Sequence, residues 1–137
     1  MAPGDFERFA LPYVKRIIAE LRKSTDVPII YFANNGATLL ELSRTSGADV
    51  LGLDWRVDIA KAIEVIGPGI SVQGNLDPIA LLLPEKEMRA RVAKILAGGS
   101  KARGHICNLG HGIHQYTPPK QAKLFIDAVH ELSRKSD

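Results

Sequence analysis

The stretch "ADVLGLDW", from Ala48 to Trp55, decides the fold class, because it is an apolar run of strand length that ends in an acidic and an aromatic residue. The pattern recurs in "VPIIYF" from Val27, "ISVQGN" from Ile70 and "GHICNLG" from Gly104. Short apolar runs that are bounded by turn residues are typical of strands buried on both faces. The sequence therefore predicts four strands of a parallel sheet.

Helical patterns separate these runs and give the order αβαβαβαβα. The opening helix is predicted to carry an apolar stripe that consists of Phe6, Phe9, Tyr13, Ile17 and Leu21. Pro12 either kinks that helix or marks its first turn. Alternation of strands and helices indicates an α/β fold, because each parallel strand needs a crossover to return to the same end of the sheet. An open doubly wound sheet and a piece of a (β/α)8 barrel both agree with this order.

The composition predicts one globular domain over residues 1–137, because a 45% hydrophobic content is enough for one core. The 18 basic and 15 acidic side chains indicate a solvated surface, with no nucleic acid as partner. No apolar run is long enough to span a membrane. The single cysteine, Cys107, cannot form an internal disulfide, and the start "MAPGDFERFALPY" lacks a signal-peptide pattern. We therefore expect a cytoplasmic protein.

Polar side chains follow all four predicted strands. They are Asn34, Asn35, Asp54, Gln73, Asn75, Asp77, Asn108 and His111, and the aromatic Trp55 accompanies Asp54. Each has a structural explanation when taken alone, since Asn35 can turn the chain before Gly36 and Asp77 can cap the next helix. Core packing does not require polar groups at four strand ends, however, and the carboxyl ends of parallel strands form the ligand face of such folds. The sequence therefore predicts a binding site there.

His111 carries the strongest local signal, because a glycine on each side lets the backbone approach a ligand or adopt a positive φ. The alternative is a capping or packing histidine in a tight turn. A zinc site built from His105, Cys107, His111 and His114 is disfavoured, since His111 lies beyond the strand and no second cysteine completes a typical set. His105 and His130 are predicted to be structural or exposed.

The segments "GLDWRVDIAKA", "VQGNLDP" and "NLGHGIHQYTPP" together resemble the uroporphyrinogen decarboxylase family. The resemblance runs from "FALPY" at Phe9 to "IDAVHELS" at Ile126, in the family's order and spacing. It implies that the four strands are the carboxyl-terminal half of a (β/α)8 barrel, which takes about 250 residues when complete. The family's arginine-rich motif, its pyrrole-binding aspartate, and its tyrosine and serine of the cleft belong to the other half. In "FANNG", Asn35 replaces the family's usual lysine or acidic residue.

The resemblance implies a lyase that decarboxylates the acetate side chains of uroporphyrinogen to give coproporphyrinogen in haem biosynthesis, with no metal or organic cofactor. His111 matches the family's active-site histidine and is expected to be catalytic and to contact substrate carboxylates. Asp54, Gln73 and Asn75 are expected to bind the substrate or support the cleft. Because half a barrel exposes edges and apolar surface, we expect the chain to pair with a second copy or with a separately encoded amino-terminal half, or to be a truncated product of poor stability.

Two alternatives to this function remain open from the sequence. The first is a corrinoid-linked methyltransferase relative that uses a zinc-bound thiolate. The presence of a single cysteine, Cys107, disfavours this alternative. The second is a half-barrel without catalytic activity that acts in assembly or binding.

Overall fold

The computed structural model describes residues 1–134, which contain four strands and six α-helices. The strands are β1 (Ile30–Phe32), β2 (Val50–Gly52), β3 (Ser71–Gln73) and β4 (His105–Ile106). The α-helices are α1 (Pro3–Phe9), α2 (Leu11–Leu21), α3 (Leu40–Ser43), α4 (Ile59–Ile66), α5 (Glu85–Gly99) and α6 (Pro119–Ser133). Two 3₁₀ helices, Gly36–Leu39 and Pro78–Leu82, precede α3 and α5. Within residues 1–134, none of the helices has the length and apolar composition that crossing a membrane requires.

The four strands form one parallel sheet in the order β1-β2-β3-β4. Each strand lies inside its predicted apolar run, so the predicted α/β class is confirmed. The strand order also separates the two architectures that the sequence left open. A doubly wound sheet reverses its strand order at a switch point, whereas a barrel adds consecutive β/α units in chain order. The sheet follows the chain order throughout, as a segment of a barrel does.

The two faces of the sheet have different surroundings, because successive side chains of a strand point to opposite faces. On one face, here called the helix-covered face, Leu51 and Val72 are 2% and 0% exposed and pack with the apolar residues of α4. On the other, the open face, Ile30, Phe32 and Ile106 are 47%, 44% and 46% exposed. Side chains on this second face would fill the interior of a closed barrel.

The opening helix is two helices rather than one. α1 ends at Phe9, Ala10 joins the helices, and Pro12 lies in the first turn of α2, where its missing N–H costs no hydrogen bond. The break changes the helical phase, so the predicted stripe does not form one buried face. Phe6 is buried, whereas the other four members are exposed, namely Phe9, Tyr13, Ile17 and Leu21. The core side of α2 carries Leu11 and Ile18 instead.

Side-chain caps start the segments that follow β2 and β3. Asp58 accepts hydrogen bonds from the backbone N–H groups of Ala60 and Lys61 at the start of α4. Asp77 accepts one from the Ile79 N–H at the start of the second 3₁₀ helix, as the sequence predicted for it. Such caps satisfy donors that have no partner within the helix. The loops at the carboxyl ends of β2 and β3 are therefore short and held by their own side chains.

A second core cluster joins α5 and α6 to the chain that follows β3. It consists of Leu76, Ala80, Leu81, Met88, Val92 and Phe125, all 9% exposed or less. Cys107 and Leu109 pack against this cluster from the segment after β4. The start of the loop that carries His111 is therefore anchored in apolar core.

Candidate active site

A pocket of about 260 Å³ lies on the open face at the carboxyl ends of the strands. This inner pocket is lined by Phe32, Gly52, Leu53, Gln73 and the segment 108–112. Gln73 and His111, two of the four predicted site residues, are both among its lining residues. The sheet register places Phe32, Gly52 and Gln73 side by side on this face. The structure therefore combines an apolar wall with an amide and an imidazole in one pocket.

A second, shallower depression of about 460 Å³ adjoins the inner pocket. This outer groove is lined by Trp55, Arg56, Asp77, Pro78, Ile79 and the segment 111–115. His111 and Gly112 line both depressions and so mark where one passes into the other. The ring of His114 lies 5.4 Å from that of Tyr116, measured between centroids, with a tilt of 48°.

The two glycines around His111 have different roles. The Gly110 N–H donates to the Leu76 carbonyl over 2.8 Å, and a Cβ added at Gly110 would lie 2.6 Å from the Cα of Trp55. A Cβ added at Gly112 would meet nothing within 4 Å. Gly110 is therefore required for the loop after β4 to pack on the loop after β2. The sequence suggested the same role for both glycines, and the structure assigns close packing to Gly110 alone.

Asp54 is 2% exposed and ties together the loops after β1 and β2. Its carboxylate accepts hydrogen bonds from the backbone N–H of Asn35 over 3.0 Å and of Arg56 over 2.9 Å, and from Arg56 Nη1 over 2.9 and 3.1 Å. Burial raises the pKa of Asp54, but the hydrogen bonds from Arg56 and Asn35 and the guanidinium charge outweigh it, so the net pKa is lowered. Asp54 is therefore an ionised anchor at neutral pH.

Asn75 is also buried and serves the same loop. Its Nδ2 donates to the backbone carbonyls of Asp54 over 3.0 Å and of Val57 over 2.7 Å. Neither Asp54 nor Asn75 is among the residues that line the inner pocket. Their hydrogen bonds fit the expected support of the cleft, and direct contact of either residue with substrate stays a prediction.

The remaining histidines and the cysteine lie outside the inner pocket. His105 Nε2 donates to the Gly74 carbonyl over 2.7 Å, which is a structural role, and His130 is exposed on α6. Burial raises the pKa of the Cys107 thiol to about 11. Within residues 1–134, no three His, Cys, Asp or Glu side chains lie close enough together to hold a metal ion.

Sequence reasoning left out Phe32 and Arg56 as site residues. Phe32 carries no signal, because an aromatic residue in an apolar run is typical of a core position. The Arg56 guanidinium lies 4.4 Å from the centroid of the Trp55 ring, in the loop after a strand that the sequence had already marked as a ligand-face loop. A charged residue directly after "LDW" was therefore a signal that could have identified it.

Replacing Asp54 by Asn is expected to lower the free energy of unfolding by about 2 kcal/mol at pH 7, because a buried acceptor of several hydrogen bonds loses its charge. The folded-state pKa lies below the unfolded-state value, so the stabilisation is present above about pH 4 and is lost as the pH falls through the folded-state pKa. Urea unfolding of both proteins at pH 7 and at low pH measures the difference. Asp26→Asn, on an exposed residue, is the control, and a difference that stays constant down to low pH would contradict the assignment.

Comparisons with known proteins agree with the geometry. The family model described as "Uroporphyrinogen decarboxylase (URO-D)" matches residues 1–132. Proteins named uroporphyrinogen decarboxylase from Desulfotalea psychrophila and Carboxydothermus hydrogenoformans are 62% identical over 135 residues and 47% identical over 136 residues. The alignments cover 98% and 99% of this chain, which spans 39% of the length of each relative.

A solved methyltransferase from Methanosarcina mazei superposes with a TM-score of 0.77 at 22% sequence identity, over 98% of this chain and 39% of that chain. This likeness shows the fold alone. The chain is thus an α/β protein of parallel β/α units that make up part of a barrel. From the match over residues 1–132 and the "NLGHG" loop at the pocket, we conclude that the chain belongs to the uroporphyrinogen decarboxylase family.

Proposed function

We propose that this chain supplies the carboxyl-terminal half of a uroporphyrinogen decarboxylase, a cofactor-independent lyase that converts uroporphyrinogen to coproporphyrinogen in the cytoplasm. The observation that carries this proposal is the position of His111, which lies in the family's "NLGHG" motif at the mouth of the inner pocket. The imidazole is exposed at this point and is free to meet an anionic group. A substrate with eight carboxylates requires such hydrogen-bonding and cationic groups around its rim.

Some residues of this chain would bind the substrate, and others would position the loops around it. His111 would donate a hydrogen bond to a substrate carboxylate, and more strongly when it is protonated. The Gln73 amide would hydrogen-bond to the substrate inside the inner pocket, and Phe32 and Leu53 would contact the apolar ring system. Asp54 and Asn75 would hold the neighbouring loops in place through the hydrogen bonds described above.

The chemistry needs no metal. Protonation of a pyrrole carbon creates an electron sink, the bond between the methylene carbon and the carboxyl carbon breaks into it, and carbon dioxide leaves. Return of a proton to the methylene carbon and loss of the first proton from the ring then leave a methyl group. The carboxylate that stabilises the cationic ring would come from the family's pyrrole-binding aspartate, which belongs to the other half of the barrel.

The open face indicates the kind of partner that such an enzyme would need. Ile30, Phe32 and Ile106 are each nearly half exposed, and β1 and β4 are the edges of the sheet within residues 1–134. Soluble proteins rarely leave apolar surface and strand edges uncovered. We therefore propose that further β/α units cover this face and complete the barrel, carried elsewhere on the same polypeptide, by a separately encoded amino-terminal half or by a second copy of this chain.

The same open face also favours a second candidate function, a half-barrel without catalytic activity that binds a partner in assembly. A corrinoid-linked methyltransferase relative has less support from the described residues. The raised pKa of Cys107 disfavours the thiolate that a zinc site needs, and the likeness to the methyltransferase concerns the fold alone.

The proposed function is tested by native mass spectrometry of the complex that forms around this chain in its own source, followed by an assay with uroporphyrinogen. We expect a species heavier than 14.9 kDa, which contains the remaining β/α units and produces coproporphyrinogen. Removal of those units should abolish product formation. A complex that holds both halves and leaves uroporphyrinogen unchanged would contradict the proposal and favour the binding role.

A further inference from the structure

We infer that Arg56, held between Asp54 and Trp55, forms an anion subsite in the outer groove that takes a carboxylate of a ligand whose body lies in the inner pocket. The identity of that ligand as a porphyrinogen rests on the proposed function. The subsite itself rests on the contacts of Arg56 and on its position relative to His111.

The contacts hold Arg56 in one place without burying it. Its Nη1 donates to both carboxylate oxygens of Asp54, over 2.9 and 3.1 Å, and its guanidinium lies 4.4 Å from the centroid of the Trp55 ring. The Arg56 side chain is nevertheless 46% exposed. An arginine that is already ordered loses little conformational entropy when it binds an anion.

Part of the guanidinium is available for such an anion. Across residues 1–134, the hydrogen bonds that the Arg56 guanidinium donates all come from Nη1. Nε and Nη2 make no hydrogen bond within this part of the chain, and the side chain that carries them is 46% exposed. The planar arrangement of two N–H groups matches the two oxygens of a carboxylate.

The position of Arg56 connects this subsite to the inner pocket. Arg56 and His111 both line the outer groove, and His111 also lines the inner pocket. The inner pocket measures about 260 Å³, which is below the range of about 300–1,000 Å³ that small-molecule sites occupy. A macrocycle with carboxylates on its rim would extend past His111 into the outer groove, where Arg56 is the arginine among the lining residues.

Among the side chains that line the outer groove, the positive charge of Arg56 stands against the carboxylate of Asp77. His114 lines the groove beyond His111. Asp77 is the carboxylate that lines the groove within residues 1–134, and its Oδ1 accepts a hydrogen bond from the Ile79 N–H over 3.0 Å. The Asp54 carboxylate is buried beneath Arg56 and is already paired with it.

Trp55 provides a direct probe, because it is the single tryptophan of the chain. We would titrate the 137-residue protein with uroporphyrin, the stable oxidised octacarboxylate, and with benzenehexacarboxylate, which lacks the macrocycle, and follow Trp55 fluorescence. Arg56→Gln is expected to raise the Kd for both probes about tenfold, the size of one charge-assisted hydrogen-bonded pair. Arg56→Lys keeps the charge and the ion pair with Asp54 but loses the planar guanidinium, so we expect the Kd for both probes to rise about threefold.

Arg44→Gln is the matched control, since it removes the same charge from an exposed residue at the end of α3, away from both depressions. Its Kd values should equal those of the unaltered protein. Urea unfolding of each variant checks that the fold persists. If Arg56→Gln does not fold, Arg56→Lys decides alone, and a Kd equal to that of the unaltered protein overturns the inference.

The outcomes separate this inference from the proposed function. Tight binding of uroporphyrin that is weakened by His111→Asn but unchanged in both Arg56 variants would overturn the subsite and leave the function standing. Binding of benzenehexacarboxylate that depends on Arg56, without any binding of uroporphyrin, would support the subsite and count against the function. Binding of neither probe to the unaltered protein would overturn the subsite.

Discussion

In the complete enzyme that we propose, replacing His111 by Asn is expected to slow the decarboxylation of uroporphyrinogen at least about tenfold. The Asn side chain can still donate a hydrogen bond, but it cannot carry the positive charge that a protonated imidazole offers to a carboxylate. Because four acetate groups must be removed in turn, weaker binding of the macrocycle should also lead to release of partly decarboxylated intermediates. Chromatography of the oxidised products over time measures both the rate and the distribution.

His130→Asn is the control for this substitution, because His130 is an exposed histidine in the last turn of α6. The same chemical change there should leave rate and product distribution as they are. Turnover and intermediates that are unchanged in His111→Asn would remove the catalytic role predicted for this residue. A change in both variants alike would indicate a general loss of stability instead.

Gly110→Ala is expected to lower the free energy of unfolding by about 3 kcal/mol, at the upper end of overpacking costs. The added methyl group would lie 2.6 Å from the Cα and 2.7 Å from the Cβ of Trp55. A rotamer change cannot relieve a collision with main-chain atoms, so the loop after β4 must shift away from the loop after β2. The shift carries His111 with it, and ligand binding should fall together with stability. Urea unfolding and a uroporphyrin titration measure the two effects.

Gly112→Ala tests the same loop with the same added group, two residues further on. A Cβ at Gly112 would meet nothing within 4 Å, and its backbone does not have a positive φ. Stability and binding should therefore stay close to those of the unaltered protein. Equal losses in the two variants would show that the loop tolerates no side chain at all, which would contradict the specific contact between Gly110 and Trp55.

Much of the fold could be predicted from local patterns in the sequence. The four apolar runs contain the four strands, and Asp77 caps the segment that follows β3. The phase of the opening helix could not be predicted in the same way. The predicted apolar stripe from Phe6 to Leu21 requires one continuous helix. The helix breaks at Ala10, and four of the five residues of the stripe are exposed. The residues that a helix buries depend on what packs against it.

The sequence by itself determined that His111, Gln73, Asp54 and Asn75 lie at the carboxyl ends of parallel strands, because the apolar runs and their alternation with helices can be identified along the chain. Only the tertiary structure decided which of them meet in one pocket. Past the end of a strand the backbone turns, so alternation no longer predicts where a side chain points. Contacts between different loops then direct Asp54 to Asn35 and Arg56, seat Gly110 on Trp55, and leave His111 and Gln73 at the open face.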